Sequence, residues 1–350
     1  MRVGKKLLIV TVCFGLWLAM LGAAAPESPL TRAGRYLTQC AKLSELPAGQ
    51  SGCDWTATVL ALSGVEEDYQ GYLRHLEDYV AECYRLPEKL DSFRATEWHR
   101  IAITVTALGG DCRNFAGVDL VADGVYEYEG ELGAQGANAL IYALLTLDVT
   151  HTQPPVGSRY PRQTLVESLL SSQNEDGGFG LSGGASSVDM TAMALQALSS
   201  CREQYPEAVD HALQYLMSCQ NADGSFSDET QASCENTAQV ILALTSLGLD
   251  PAKEPDFQKE GNPVSALLTF QDDSGGFVHL LGDEQADGIS TTQAMLALWS
   301  LEHGALWDAS NWPPVQQASG IGLLWLAPVG VLALVGAGIV LFRRKGGRRA

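Results

Sequence analysis

The stretch that decides the fold is QNEDGGF at residues 173–179, because two further copies of it follow. The copies are QNADGSF at 220–226 and QDDSGGF at 271–277, so successive first glutamines lie 47 and 51 residues apart. The shared positions are Gln173, Gly177, Phe179, Gln220, Gly224, Phe226, Gln271, Gly275 and Phe277. A period near 50 residues is typical of a repeat architecture.

Each part of this repeated element has a structural explanation. The glutamine is placed to end a helix and to bond backbone groups of the loop that follows. The glycine allows a turn with positive φ, and the phenylalanine packs the loop onto the helix ends. We therefore interpret the nine shared residues as structural, since repeat signatures hold neighbouring units together.

Apolar, alanine-rich stretches predict the helices that surround these loops. They cover 55–62, 101–108 and 139–147, and three more end in Ala-Leu at 197–198, 243–244 and 297–298. Helices that are apolar nearly all round are buried. Amphipathic candidates alternate with them at 32–43, 69–85, 161–172, 207–219 and 263–271, with a less clear one over 113–123. This alternation predicts an all-α ring of about six helical hairpins.

These elements resemble the repeat of prenyltransferases and squalene cyclases, whose fold is the α/α toroid. The resemblance spans about residues 30–303, and it is carried by VDMTAMALQAL at 188–198, ENTAQVILALTSLG at 235–248 and NFAG at 114–117. Among members of this superfamily, these three sequence stretches are most similar to those of secreted bacterial surface proteins. The fold hosts several chemistries, so the resemblance implies a toroid without implying one activity.

The two ends of the chain have the composition of targeting and anchoring segments. Residues 1–25 are basic, then apolar, and finish in small residues, which predicts a signal peptide. Residues 321–342 are uncharged, long enough to cross a bilayer, and followed by a basic tail at 343–350. With a toroid at 28–305 and a stalk at 306–320, we expect a single-pass cell-membrane protein with an extracellular domain and a cytoplasmic tail.

Composition narrows the possible partners. The chain is 46% hydrophobic and 18% charged, as expected for a folded domain. Its 22 basic and 41 acidic residues give a net charge of −19, which argues against a nucleic-acid partner. Seven cysteines lie outside the predicted signal, an odd number that leaves at least one thiol without an intramolecular partner.

The catalytic motifs known in the resembled families are incomplete here. Squalene cyclases use Asp-x-Asp-Asp-Thr-Ala; Asp189 matches their proton donor, but both flanking acids are replaced. The Asp-x-Cys zinc ligands of protein prenyltransferases and the Cys–Gln pair of complement thioesters have no counterpart. We therefore expect no metal and no cofactor.

Polar residues at the starts of the inner helices are the candidate binding site. Asp54, Asp189 and Glu235 share the pattern acid-x-Thr-Ala, and Glu97 and Asn138 lie at similar places. In a ring they would surround one mouth of the lumen, with Trp55 and Trp98 as apolar walls. Helix capping by itself also predicts acids at these positions.

Three functions remain open from the sequence. The first is a non-catalytic module that holds a small hydrophobic or cofactor-like ligand in its lumen, or that binds a surface protein. The second is a terpenoid-cyclase-like enzyme with Asp189 as its catalytic acid. The third is a structural spacer or adhesin, which needs a lumen filled with side chains.

Overall fold

A computed structural model of the protein describes residues 27–134, 136–228 and 231–316. These ranges contain eleven α-helices, and their only β pairing is in isolated bridges. The helices are α1 (Pro29–Cys40), α2 (Ser51–Leu62), α3 (Tyr69–Cys83), α4 (Thr96–Ala107), α5 (Ala137–Val149), α6 (Arg162–Leu170), α7 (Val188–Leu198), α8 (Pro206–Ser218), α9 (Cys234–Ser246), α10 (Pro263–Leu268) and α11 (Gly288–His303).

Six of these helices form a closed inner ring. In order, α2, α4, α5, α7, α9 and α11 each contact the next, and α11 contacts α2 to complete the circle. Their alanines are almost fully buried, which lets the helix backbones approach closely. The predicted all-α toroid is therefore confirmed by the closed circuit of contacts.

An outer layer covers the ring. Helices α3, α6, α8 and α10 pack against α2, α5, α7 and α9 respectively, and α1 packs against α11. Helix α4 is covered by a π-helical turn at Ala122–Tyr126 instead of the helix expected over 113–123. Left-handed backbone at Ala116 and Gly117 interrupts that segment, and an α-helix cannot continue through it.

The repeated loops tie each outer element to the next one. The amide Nε2 of Gln173 donates to the carbonyls of Gly177 and Ala208, both at 2.8 Å. Gln220 donates in the same way to Gly224 and Phe257. The three repeat glycines have φ near +90°, and the three phenylalanines are fully buried.

The third loop closes the ring between its first and last hairpins. Gln271 Nε2 donates to the carbonyl of Pro29 at 2.8 Å, across 242 positions of sequence. The Tyr36 hydroxyl donates to the Ala286 carbonyl at 2.7 Å. The indole of Trp299 donates to the Leu62 carbonyl at 2.8 Å, which joins α11 to α2. Helix α1 thus serves as the outer partner of the last inner helix.

The segment after α11 belongs to the ring rather than to a stalk. Leu306 and Trp307 are buried, and Trp312 and Val315 pack against the core. The compact unit reaches Gln316. The stalk expected at 306–320 therefore cannot begin at 306, because its first residues bury large apolar side chains.

The predicted end segments fall outside the described ranges: the signal at 1–25, the span at 321–342 and the tail at 343–350. Within the described ranges, no helix has the length and apolar character needed to cross a bilayer. The seven cysteines there are free thiols.

Candidate functional site

The inner ring surrounds a central cavity of ≈ 770 Å³ that is partly open to solvent. Its walls come from all of the inner helices except α4, together with α1 and the segment after α11. Most of the wall is apolar, and the larger contributing side chains are Leu37, Trp55, Tyr142, Leu145, Met193, Leu242, Leu296 and Trp307. A cavity of this size and character is typical of a small-molecule site.

In four of the inner helices the second residue is polar and lines one of two adjoining pockets. Glu97 and Asn138 hold this position in α4 and α5, and Asp189 and Glu235 hold it in α7 and α9. Asp189 and Glu235 line the main cavity. Glu97 and Asn138 line a smaller pocket of ≈ 240 Å³ that shares Trp55, Tyr142 and Met193 with the main one.

Asp54 is not in this group, although its local sequence matches that of Asp189. Helix α2 begins at Ser51, which makes Asp54 its fourth residue, whereas Asp189 is the second residue of α7. Two residues correspond to a rotation of about 200° around a helix axis, so Asp54 points away from the lumen. It is fully buried and bound to Arg100 at 2.9 Å and to the Tyr72 hydroxyl at 2.7 Å.

The Arg100 guanidinium completes a buried ionic network around Asp54. It also binds Glu97 at 2.7 Å and donates to the Gly49 carbonyl at 2.8 Å. Burial raises the pKa of Asp54, and the charge of Arg100 opposes that rise. Burial lowers the pKa of Arg100, but Asp54 and Glu97 more than compensate and leave it raised. Asp54 is thus occupied in joining α2 to α4.

Trp98 also lies away from the lumen. Its indole donates to the Tyr84 hydroxyl at 2.7 Å, and its ring packs edge-on against Tyr128 at 5.8 Å. It lines a cleft of ≈ 300 Å³ whose other residues do not line the central cavity. The aromatic wall of the lumen is formed instead by Trp55, with Tyr142 at 6.0 Å and Trp307 at 6.4 Å between ring centroids.

Three carboxylates line the cavity. Asp189 accepts from the Ser187 hydroxyl at 2.5 Å and from the Met190 backbone N–H at 2.7 Å. Glu235 and Asp287 both lie within hydrogen-bonding distance of the Ser290 hydroxyl, at 2.6 and 2.5 Å. Asp287 also caps α11, and sequence reasoning missed it because the segment before α11 lacks the acid-x-Thr-Ala pattern.

His279 contacts one of these carboxylates from outside the cavity. Its Nδ1 lies 2.7 Å from Glu235, and its side chain is 53% exposed. The hydrogen bond with Glu235 raises the pKa of His279. Among the described residues, no group of histidines, cysteines and carboxylates has the arrangement of a metal site.

A chain of glutamine amides crosses the lumen wall. The Trp307 indole donates to Gln196, Gln196 donates to Gln239, and Gln239 donates to Gln293, at 2.7, 2.8 and 3.0 Å. These bonds tie the segment after α11 to α7, α9 and α11. Sequence reasoning missed the chain because its members come from different repeats and from the expected stalk.

Comparisons with known proteins agree with this architecture. Residues 131–318 match the family model of the prenyltransferase alpha-alpha toroid domain. The structure is similar to Candida albicans protein geranylgeranyltransferase-I complexed with GGPP, with 13% identity and a TM-score of 0.52 over 79% of this chain and 92% of that chain. At this identity the likeness concerns the fold. A search of curated proteins finds no match. More than half of the chain fits the family model, and the protein belongs to the prenyltransferase α-α toroid domain family.

Proposed function

We propose that this protein is a non-catalytic toroid that binds a small, largely apolar ligand in its central lumen. The observation that carries the proposal is the ≈ 770 Å³ cavity with apolar walls and a polar group at the start of most inner helices. Apolar walls supply the binding free energy, and a few polar groups orient the ligand. A spacer or adhesin has no need of such a space, because filling it with side chains would stabilise the ring.

The environment of Asp189 favours binding over acid catalysis. The two acids that flank the proton donor of squalene cyclases are replaced here by Ser187 and Met190. Asp189 bonds instead to the Ser187 hydroxyl and to the Met190 backbone N–H. A carboxylic acid that protonates an alkene needs acidic neighbours to tune it, and this site lacks them. The cyclase-like enzyme is the second candidate, since Asp189 does line a lumen that also contains Trp55, Tyr142 and Trp307.

We place the binding domain at the outer face of a bacterial cell membrane. The support is the sequence of the two ends: a signal-like segment at 1–25 and a basic tail after the apolar run at 321–342. Protease added to intact cells is expected to degrade the toroid and to leave an epitope tag at the C-terminus undigested. Protection of the toroid would contradict this orientation.

Ligand retention tests the binding function directly. The full chain is purified in lipid nanodiscs after incubation with a cell extract, and retained small molecules are identified by mass spectrometry. The comparison variant is Met193→Trp, because Met193 lines both pockets and a larger side chain there takes up part of the space in each. The matched control is Leu86→Trp, since Leu86 is 58% exposed and does not line the cavity.

The proposal expects a molecule retained by the wild type and by Leu86→Trp but lost from Met193→Trp. Equal retention by all three proteins would contradict a lumen site. If the wild type converts the retained molecule into a product and Asp189→Asn does not, the cyclase-like enzyme becomes the better-supported hypothesis.

A further inference from the structure

We propose that the lumen ligand carries a neutral oxygen acceptor, such as a carbonyl, to which the side-chain amide of Gln293 donates a hydrogen bond. This inference rests on the proposed binding function and adds a chemical requirement for the ligand. It is carried by the direction of the glutamine chain in the lumen wall, because that direction leaves an amide donor without a partner at the end of the chain.

The direction of hydrogen bonding along this chain is fixed at its first glutamine, Gln196. An indole N–H can only donate, so the amide oxygen of Gln196 must face Trp307, at 2.7 Å. A backbone carbonyl can only accept, so the amide nitrogen of Gln196 must face the Ala192 carbonyl, at 3.2 Å. Neither bond is possible if the amide of Gln196 is turned over.

The next two glutamines inherit this direction. Nε2 of Gln196 lies 2.8 Å from Oε1 of Gln239, which turns the amide nitrogen of Gln239 toward Gln293. That nitrogen lies 3.0 Å from Oε1 of Gln293. The oxygen of Gln293 is thereby used, and its Nε2, which carries two N–H groups, is the free end of the chain.

This free end belongs to the lumen face of α11. Gln293 lines the cavity together with Ile289 and Leu296, and the spacing of four and three residues places all three on one face of the helix. Nε2 of Gln293 has no acceptor among the described residues, and it is not one of their fully enclosed unpaired polar atoms. The nitrogen therefore keeps accessible surface and can donate to a bound molecule.

The surroundings of Gln293 favour an acceptor without charge. Glu235 and Asp287 line the same cavity, and in a space of low dielectric they repel a carboxylate or a phosphate. A ketone, ester or amide carbonyl avoids this repulsion and accepts from an amide N–H. A ligand with no oxygen would cover the amide and leave its donor unpaired, which is unfavourable.

The chain also holds the donor in one orientation before a ligand arrives. Gln293 is anchored through its oxygen by Gln239, which is only 9% exposed. A donor that is already ordered loses less conformational freedom on binding than a free side chain does. Gln239 and Gln196 are therefore positioning residues, and Gln293 is the residue that contacts the ligand.

Two probes with the same skeleton test the inference: 2-nonanone, and 2-methyl-1-nonene, in which a CH₂ group replaces the carbonyl oxygen. Both are volatile, so headspace gas chromatography measures their free concentrations above the full chain in nanodiscs, with empty nanodiscs subtracted. Gln293→Met keeps the length of the side chain and removes the donor. It is expected to weaken the ketone roughly threefold to tenfold, the range of one net hydrogen bond, and to leave the alkene bound at least as tightly.

A second variant tests the direction of the chain. Gln239→Glu keeps the shape of the side chain, but an ionised carboxylate only accepts, so Gln293 must turn its nitrogen toward residue 239. The free donor is then consumed, and the ketone is expected to weaken as much as in Gln293→Met although Gln293 itself is unchanged. The alkene is expected to bind as it does to the wild type, which also shows that the lumen is intact.

Each variant has a matched control. Leu296→Met places a methionine on the same wall of α11 without removing a donor. Gln258→Glu makes the second exchange at an exposed residue outside the cavity. Both controls are expected to keep the wild-type ratio of ketone affinity to alkene affinity.

The possible outcomes distinguish the two proposals. Ketone affinity that is unchanged in Gln293→Met overturns the inference while the lumen still binds ligands. A loss that the controls share, or a molecule retained from the cell extract that has no oxygen acceptor, overturns it as well. Wild-type ketone affinity in Gln239→Glu overturns the role of the chain. If Gln239→Glu also loses the alkene, its lumen is disrupted and Gln293→Met decides against Leu296→Met. If neither probe binds and the wild type retains no molecule from an extract, both proposals fail.

Discussion

Replacing Arg100 with methionine is expected to destabilise the ring by about 3–5 kcal/mol. The guanidinium is 5% exposed and contacts Asp54 at 2.9 Å, Glu97 at 2.7 Å and the Gly49 carbonyl at 2.8 Å. Methionine fills a similar volume but leaves the carboxylate of Asp54, which is 0% exposed, without a cation. The cost is that of an unpaired buried charge, which far exceeds the loss of one hydrogen bond.

The assay is urea denaturation of residues 27–316, with unfolding monitored by tryptophan fluorescence. Arg85→Met is the matched control, because Arg85 binds Glu82 at 2.6 Å with side chains 70% and 67% exposed. Such a surface pair contributes about 0–1 kcal/mol. The double variant Asp54→Leu/Arg100→Met is expected to regain much of the stability, since it removes the unpaired charge. Equal effects of Arg100→Met and Arg85→Met would refute the reasoning, as would a double variant less stable than Arg100→Met.

Two further perturbations test the ring closure and the buried imidazole. Gln271→Ala removes the hydrogen bonds to the Pro29 and Gly275 carbonyls. The free energy of unfolding is expected to fall by about 1–3 kcal/mol, and proteolysis within α1 is expected to become faster. Gln258→Ala is the control, because Gln258 is exposed, and it is expected to change neither quantity. His99 is fully buried, and burial lowers its pKa to about 4, below the ordinary 6.5. As pH falls, His99 therefore takes up a proton in the unfolded chain before it does so in the folded chain. The free energy of unfolding should drop by about 2 kcal/mol between about pH 7.5 and 5. His99→Gln is expected to flatten this slope whereas the exposed His75→Gln is not, and an unchanged slope in both would contradict the assignment.

The repeat made the fold predictable from the sequence. Three copies of one loop, each followed by an apolar helix, require a structure in which neighbouring units bury one another. The six inner helices lie close to the predicted stretches because packing on all sides demands continuous apolar sequence. The exception is 113–123, where amphipathic spacing predicted a helix but left-handed backbone at Ala116 and Gly117 interrupts it.

The candidate site was only partly predictable, and Asp54 shows why. Its motif matches that of Asp189, but α2 begins three residues before Asp54 and α7 begins one residue before Asp189. The direction of a side chain depends on where its helix starts, which a short motif does not specify. Trp98 was likewise assigned to the lumen from its place near a helix start, although it bonds to Tyr84 in the outer layer.

By itself, the sequence determined the all-α repeat, the order of inner and outer helices apart from 113–123, and the residues of the connecting loops. These are local properties, written in spacing and apolar pattern over a few tens of residues. Only the tertiary structure decided which polar groups share the lumen: Asp287 joined Asp189 and Glu235, and Trp307 reached Gln196 across 111 positions. Closing a ring brings together residues that are distant in the chain, and their contacts depend on helix rotation and register.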